Sequence, residues 1–99
     1  MITLHRSASI TPGHVASAIG FAKEVAALIK TRTGAEVSVA LPVAGNPNRV
    51  IWTAHFDTLA DFDRTMERLR SDAQYGELVA KGGMNFIPGT VFDELWRSI

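Results

Sequence analysis

Three histidines, His5, His14 and His55, are the side chains best suited to move protons near neutral pH. A neutral imidazole can take a proton from a phenol or an enol, the step by which a cofactor-free oxygenase makes a carbanion that reacts with oxygen. His5 and His55 are the sharper pair. The strands that carry them are expected to be central neighbours in one sheet, and side chains on the same face would flank one cavity. Ser7 and Thr53 share the alternating faces of those strands, and their hydroxyls suit orienting hydrogen bonds to a substrate. Trp52 and Trp96 offer flat apolar walls for an organic ligand. The competing reading makes both histidines structural, each bonded to a neighbouring strand. His14 falls in the first turn of the first helix, where a solvent-exposed role is the simpler expectation.

Other chemistries find little support. No nucleophile, base and orienting partner occur together at a recognisable spacing. The three histidines are dispersed, with no helical i,i+4 pair, so no metal site is expected, and the absence of cysteine removes thiolate ligands, disulfides and a thiol nucleophile. A haem would need one axial histidine and nothing specifies it, so no cofactor is expected. Gly82-Gly83 and the run from Gly45 to Asn48 lack the glycine spacing followed by a helix that cradles phosphate, and read as turns. Asp93 and Arg97 share one face of the last strand, with an intersubunit or surface ion pair as their expected role.

Ten Lys and Arg balance ten Asp and Glu in a chain of 99 residues, so nothing draws it toward nucleic acid or an anionic membrane. That length suits a single domain over residues 1–99, small enough that a partner subunit would add useful burial. The segment from Met1 to Arg6 lacks a basic region followed by a long apolar run, and no stretch approaches a membrane span, so a cytoplasmic location is expected.

The elements that must position these side chains follow from periodicity. Ile2, Leu4, Ala8 and Ile10 alternate with Thr3, His5, Ser7 and Ser9, which predicts a half-buried strand. Thr11-Pro12 is expected to start a helix carrying Val15, Ile19, Ala22, Val25, Ala26 and Ile29 on one stripe, ended by Gly34. A second strand is expected from Ala35 to Val43. After a hairpin loop over 44–48, a third strand begins at Arg49, with Val50, Trp52, Ala54 and Phe56 opposite Ile51, Thr53 and His55. Thr58 and Asp61 have capping-box spacing before a helix striped by Leu59, Phe62, Met66 and Leu69. Asp72 can cap a further short helix bearing Tyr75, Leu78 and Val79, and Thr90 to Ile99 reads as a last strand with Phe92, Glu94 and Trp96 on one face.

The order is therefore βαββαβ, an α+β ferredoxin-like arrangement with a four-stranded antiparallel sheet and helices on one face. The other face would mix Ile51, Phe92 and Trp96 with His5, Ser7, Thr53 and His55, which is too apolar for open water. Pairing two sheets in a homodimer would cover it. RNA-recognition modules share the element order, but the stretch from Asn48 to Asp57 lacks their glycine, aromatic and basic pattern, and nucleic acid is not an expected partner.

At this point the chain resembles the dimeric α/β-barrel superfamily, and within it the small NIPSNAP-like and antibiotic-biosynthesis-monooxygenase-like proteins. The likeness runs over nearly the whole chain and is most specific from Trp52 to Lys81, a strand, a helix and a short extra helix entered through Asp72 and Tyr75, with Ala73-Gln74 between them. The resemblance implies a homodimer joined through its sheet faces, with a pocket between sheet and helices for a small aromatic or apolar molecule. It does not imply one reaction. The expected function is that of a NIPSNAP- or monooxygenase-like dimer, with cofactor-independent oxidation as one activity and a non-catalytic ligand carrier or assembly dimer as the alternative.

Overall fold

The computed structural model describes residues 1–99. In chain order the elements are β1 (Ile2–Ser9), α1 (Val15–Thr33), β2 (Val37–Ala40), β3 (Arg49–Phe56), α2 (Leu59–Arg70), α3 (Ala73–Gly82), a single 3-10 turn (Gly83–Asn85) and β4 (Phe92–Arg97). The strands form one antiparallel sheet in the order β2-β3-β1-β4. This is the α+β ferredoxin-like arrangement expected from the pattern, with the third helix, α3, entered through the Asp72 cap.

Register fixes which side chains share a face. Leu4 sits opposite Ala54 on β3 and Leu95 on β4, while His5 sits opposite Thr53 and Glu94. Since successive side chains point to opposite faces, Ile2, Leu4, Arg6 and Ala8 turn toward the helices and Thr3, His5, Ser7 and Ser9 turn away. Ala18 and Ala22 of α1 are fully buried and pack against Ala8, Ile10 and Val50. Residues this small let the helix backbone come close to the sheet. Ile10 and Val50 are the largest side chains wholly removed from water, each contributing roughly 1.5–3 kcal/mol of transfer free energy. Farther along α1, Val25 and Ile29 meet Leu69 of α2, flanked by Tyr75 and Leu78 of α3.

Caps explain the helix ends. Thr58 Oγ1 accepts from Asp61 N–H at 3.1 Å, and Asp72 Oδ1 accepts from Tyr75 N–H at 3.0 Å. Gly34 adopts φ 79°, the left-handed conformation that closes α1 by directing its N–H to the Lys30 carbonyl.

Three elements, α1, β2 and β4, depart in their ends from the sequence reading. Helix α1 begins at Val15, not at Thr11-Pro12, because Gly13 takes φ 87° and breaks the helical path, leaving His14 at the cap position with no side-chain cap bond. Strand β2 ends at Ala40, since Pro42 brings no N–H to the ladder; Leu41 and Val43 are exposed. Strand β4 is limited to Phe92–Arg97, because its partner β1 offers Ile2 to Ser7 and no other strand flanks it.

The helices cover one face only. Just 15 of the 99 residues are buried, and every residue of β4 is exposed. No helix is long and apolar enough to cross a membrane.

Candidate functional site

Between the sheet and the helices lies a cavity of about 590 Å³, within the range of pockets that hold small organic molecules. Its floor is the helix-facing side of β1 and β3, including Leu4, Ala8, Trp52 and Phe56. Its roof comes from Phe21 and Val25 of α1, Met66 and Leu69 of α2, and Tyr75 and Val79 of α3. The segment from Ile87 to Val91 closes one side, and Val79 and Ile87 are partly open to solvent. Aromatic rings shape the interior. Phe86 meets Phe21 with centroids 5.5 Å apart and Trp52 at 5.9 Å, both tilted, a geometry that ring quadrupoles favour over face-to-face stacking.

Polar side chains in this lining are few. The Trp52 indole N–H donates to the Ala22 carbonyl at 3.3 Å, and the Thr65 hydroxyl donates to the Asp61 carbonyl at 3.0 Å. Both donors are thereby committed to helix backbone. Arg6 is different. It projects from the centre of β1 among apolar neighbours, and Asp93, directly opposite on β4, accepts from its Nε and Nη2 at 2.7 Å each. This bidentate pair raises the Arg6 pKa: the Asp93 hydrogen bond is the largest cause, burial opposes it, and Tyr75 adds a smaller favourable interaction. The group stays charged at any ordinary pH, and Asp93 cancels that charge locally.

Of the residues singled out from the sequence, Trp52 lines this cavity. His5, Ser7, Thr53, His55 and Trp96 lie on the opposite, uncovered face of the sheet. The two histidines do share that face, as their strands require, yet each is bonded across the β1–β3 ladder. His5 Nδ1 lies 3.1 Å from Thr53 Oγ1 and His55 Nδ1 lies 2.9 Å from Thr3 Oγ1. Ser7 is buried opposite Ile51 and Phe92. Trp96, opposite Thr3, is 58 % exposed, and Phe92 on the same face is 61 % exposed. His14 approaches buried Asn85 at 3.4 Å and tethers the loop before α1 to the 3-10 turn. No group of three His, Cys, Asp or Glu side chains could hold a metal ion.

The residue that sequence reasoning passed over is Arg6. A signal was present, since alternation puts position 6 on the same face as Leu4 and Ala8, and a charge there requires a partner. The sequence reading expects Asp93 in a surface or intersubunit pair; its partner is Arg6 of the same chain, in a pair that is partly exposed.

No protein-family model matches this sequence, and no curated protein matches it. Solved structures do share its fold. An uncharacterized NIPSNAP domain protein from Burkholderia xenovorans superposes with a TM-score of 0.85 at 18% identity, covering 100% of this chain and 95% of its own. A NIPSNAP family protein with unknown function from Agrobacterium tumefaciens gives 0.83 at 15% identity, with 97% and 86% covered. A proposed antibiotic biosynthesis monooxygenase from Bordetella bronchiseptica gives 0.76 at 17% identity, with 99% and 96% covered. These neighbours belong to the groups that the sequence resembles, and at such identities the likeness is one of fold.

Proposed function

We propose that this chain is a homodimeric binding protein for a small, largely apolar molecule, held in the cavity between its sheet and helices. The observation that carries this reading is the 590 Å³ cavity, in which 17 of 22 lining residues are hydrophobic. The side chains that line a space of this size lack protein partners on the cavity side, and an apolar guest would supply those contacts. The only titratable side chains in the lining are Arg6 and Tyr75, with no histidine or carboxylate among them to act as a base. Binding is therefore better supported than turnover. Both histidines fit structural roles through their bonds to Thr3 and Thr53.

Dimerisation belongs to the same reading. The four strands, of 8, 4, 8 and 6 residues, present a footprint of about 400 Å² from ordinary strand spacing and rise. That is about half of the roughly 800 Å² per partner of a standard interface, and projecting Phe92 and Trp96 add area to it. Two such faces packed together would remove both aromatics from water.

A second reading, oxidation with His5 or His55 as proton acceptor, Ser7 and Thr53 as orienting donors and Trp96 as a wall, draws on the apolar and imidazole groups that share the uncovered face. It would need its substrate between the two sheets. The two sites are separated by one variant. Val79, 41% exposed at the cavity lining, can be replaced by Trp to fill the space from outside. Thermal unfolding with saturating naphthalene should show a rise in Tm for the wild type and none for Val79→Trp. An equal rise in both would move the ligand out of this cavity.

A further inference from the structure

We infer that the Arg6 and Tyr75 end of the cavity recognises a single uncharged oxygen, a carbonyl or hydroxyl, at the tip of an otherwise apolar ligand. The inference rests on the cavity reading above and adds the chemical class of the guest. It follows by elimination among the polar groups of the lining. Trp52 and Thr65 spend their donors on helix carbonyls. Asp93 occupies Nε and Nη2 of Arg6, so the two N–H groups of Nη1 are not used by Asp93. Tyr75 lies beside the guanidinium, where its hydroxyl oxygen can accept from Arg6 and its O–H is left to donate to a ligand. The cavity thus holds donors at one end and hydrocarbon elsewhere.

The ion pair decides the charge of the guest. Without Asp93, the half-buried guanidinium would be a carboxylate site. With Asp93 gripping it through two short bonds, a ligand carboxylate would enter a space whose positive charge is already neutralised and would lie near a second anion. A ketone, aldehyde, ester or alcohol oxygen needs only the donors and brings no charge to desolvate. The pair also fixes the donors in place, because β4 meets the rest of the sheet along β1 and Asp93 faces Arg6 directly. Little side-chain freedom remains to be lost when the oxygen arrives.

The test uses three probes on one ring system: naphthalene, 2-acetylnaphthalene and 2-naphthoate, titrated calorimetrically into the intact chain. The ketone should bind about tenfold tighter than naphthalene, as one added hydrogen bond allows, and the carboxylate no tighter than naphthalene. In the double variant Arg6→Met/Asp93→Leu, which leaves no orphaned charge, the ketone's advantage should vanish while naphthalene still binds. Tyr75→Phe, which alters one hydroxyl, should reduce that advantage without any change to the ion pair. Tightest binding by 2-naphthoate, or equal affinity for naphthalene and the ketone in the wild type, overturns this inference and leaves the cavity reading standing. Failure of all three probes to bind overturns both.

Discussion

Replacing Gly82 by Ala should destabilise the protein and disturb the cavity together, because one aromatic ring links the two. Gly82 ends α3 and is buried against Phe21 of α1. A Cβ built on Gly82 would overlap Phe21 at Cδ1 and Cε1 and come within 2.6 Å of Cζ. Phe86 at 5.5 Å, itself against Trp52, blocks the ring on one side, so it yields only by moving into the cavity it roofs. Overpacking of this kind costs about 1–3 kcal/mol. The helix-propensity gain of Ala over Gly, at most about 1 kcal/mol in a helix interior, is smaller at a terminal residue. A net loss of about 1–2 kcal/mol corresponds to a Tm fall of roughly 5–15 °C for a domain of this size. The neighbouring Gly83 supplies the control: its φ is −58° and nothing lies within 4 Å of a Cβ there, so Gly83→Ala should stay within about 0.5 kcal/mol of wild type. Differential scanning calorimetry on both variants, and on Gly82→Ala in a Phe21→Ala background, completes the cycle. The Gly82 penalty should shrink by about 1 kcal/mol or more once the ring is gone. Equal Tm values for the two glycine variants would refute the packing argument.

Trp96→Lys places a charge on the edge strand of the uncovered face while leaving the intrachain core untouched, so light scattering across a dilution series should show dimer for wild type and monomer for the variant; a dimer in both would send the interface elsewhere. Asp72→Ala removes the cap on the Tyr75 N–H and the partner of Arg32 Nε at 3.1 Å; urea unfolding should show a loss of about 1 kcal/mol, mainly the cap. The Glu36 carboxylate, bonded to Lys30 at 2.6 Å, has its pKa lowered by that hydrogen bond. A lowered folded-state pKa gives stability present above the unfolded value and lost as pH falls through the folded one. NMR titration should therefore find a Glu36 midpoint below 4.5, moving up in Lys30→Met, with little change in overall stability because the pair lies at the surface.

Local pattern carried the architecture further than it carried the site. Alternation at Ile2, Leu4, Ala8 and Ile10, and the capping signals at Thr58 and Asp72, depend on neighbours in sequence, and the elements they predict are present. At two of the moved boundaries a single backbone constraint outweighed periodicity: Gly13 at positive φ delayed α1, and Pro42 shortened β2. The cavity is a different kind of feature. It exists because β1, β3 and three helices leave space among side chains far apart in sequence. Arg6 meets Asp93 across 87 residues, a separation that no spacing rule reaches. The histidines drew attention for their intrinsic pKa, yet strand parity assigns His5 and His55 to the face without helices. Trp52 stands with Leu4 and Ala54 on the covered side, and its indole N–H reaches the Ala22 carbonyl of α1.

The most direct test of the cavity as the binding site is an amide NMR titration of the intact protein with 2-acetylnaphthalene, following cavity and uncovered-face residues in the same spectra. The largest shifts should fall on Trp52, Leu69, Tyr75 and Phe86, with His5, Thr53 and Trp96 little changed. Shifts concentrated on His5, Thr53, His55 and Trp96 would contradict it and place the ligand between the sheets.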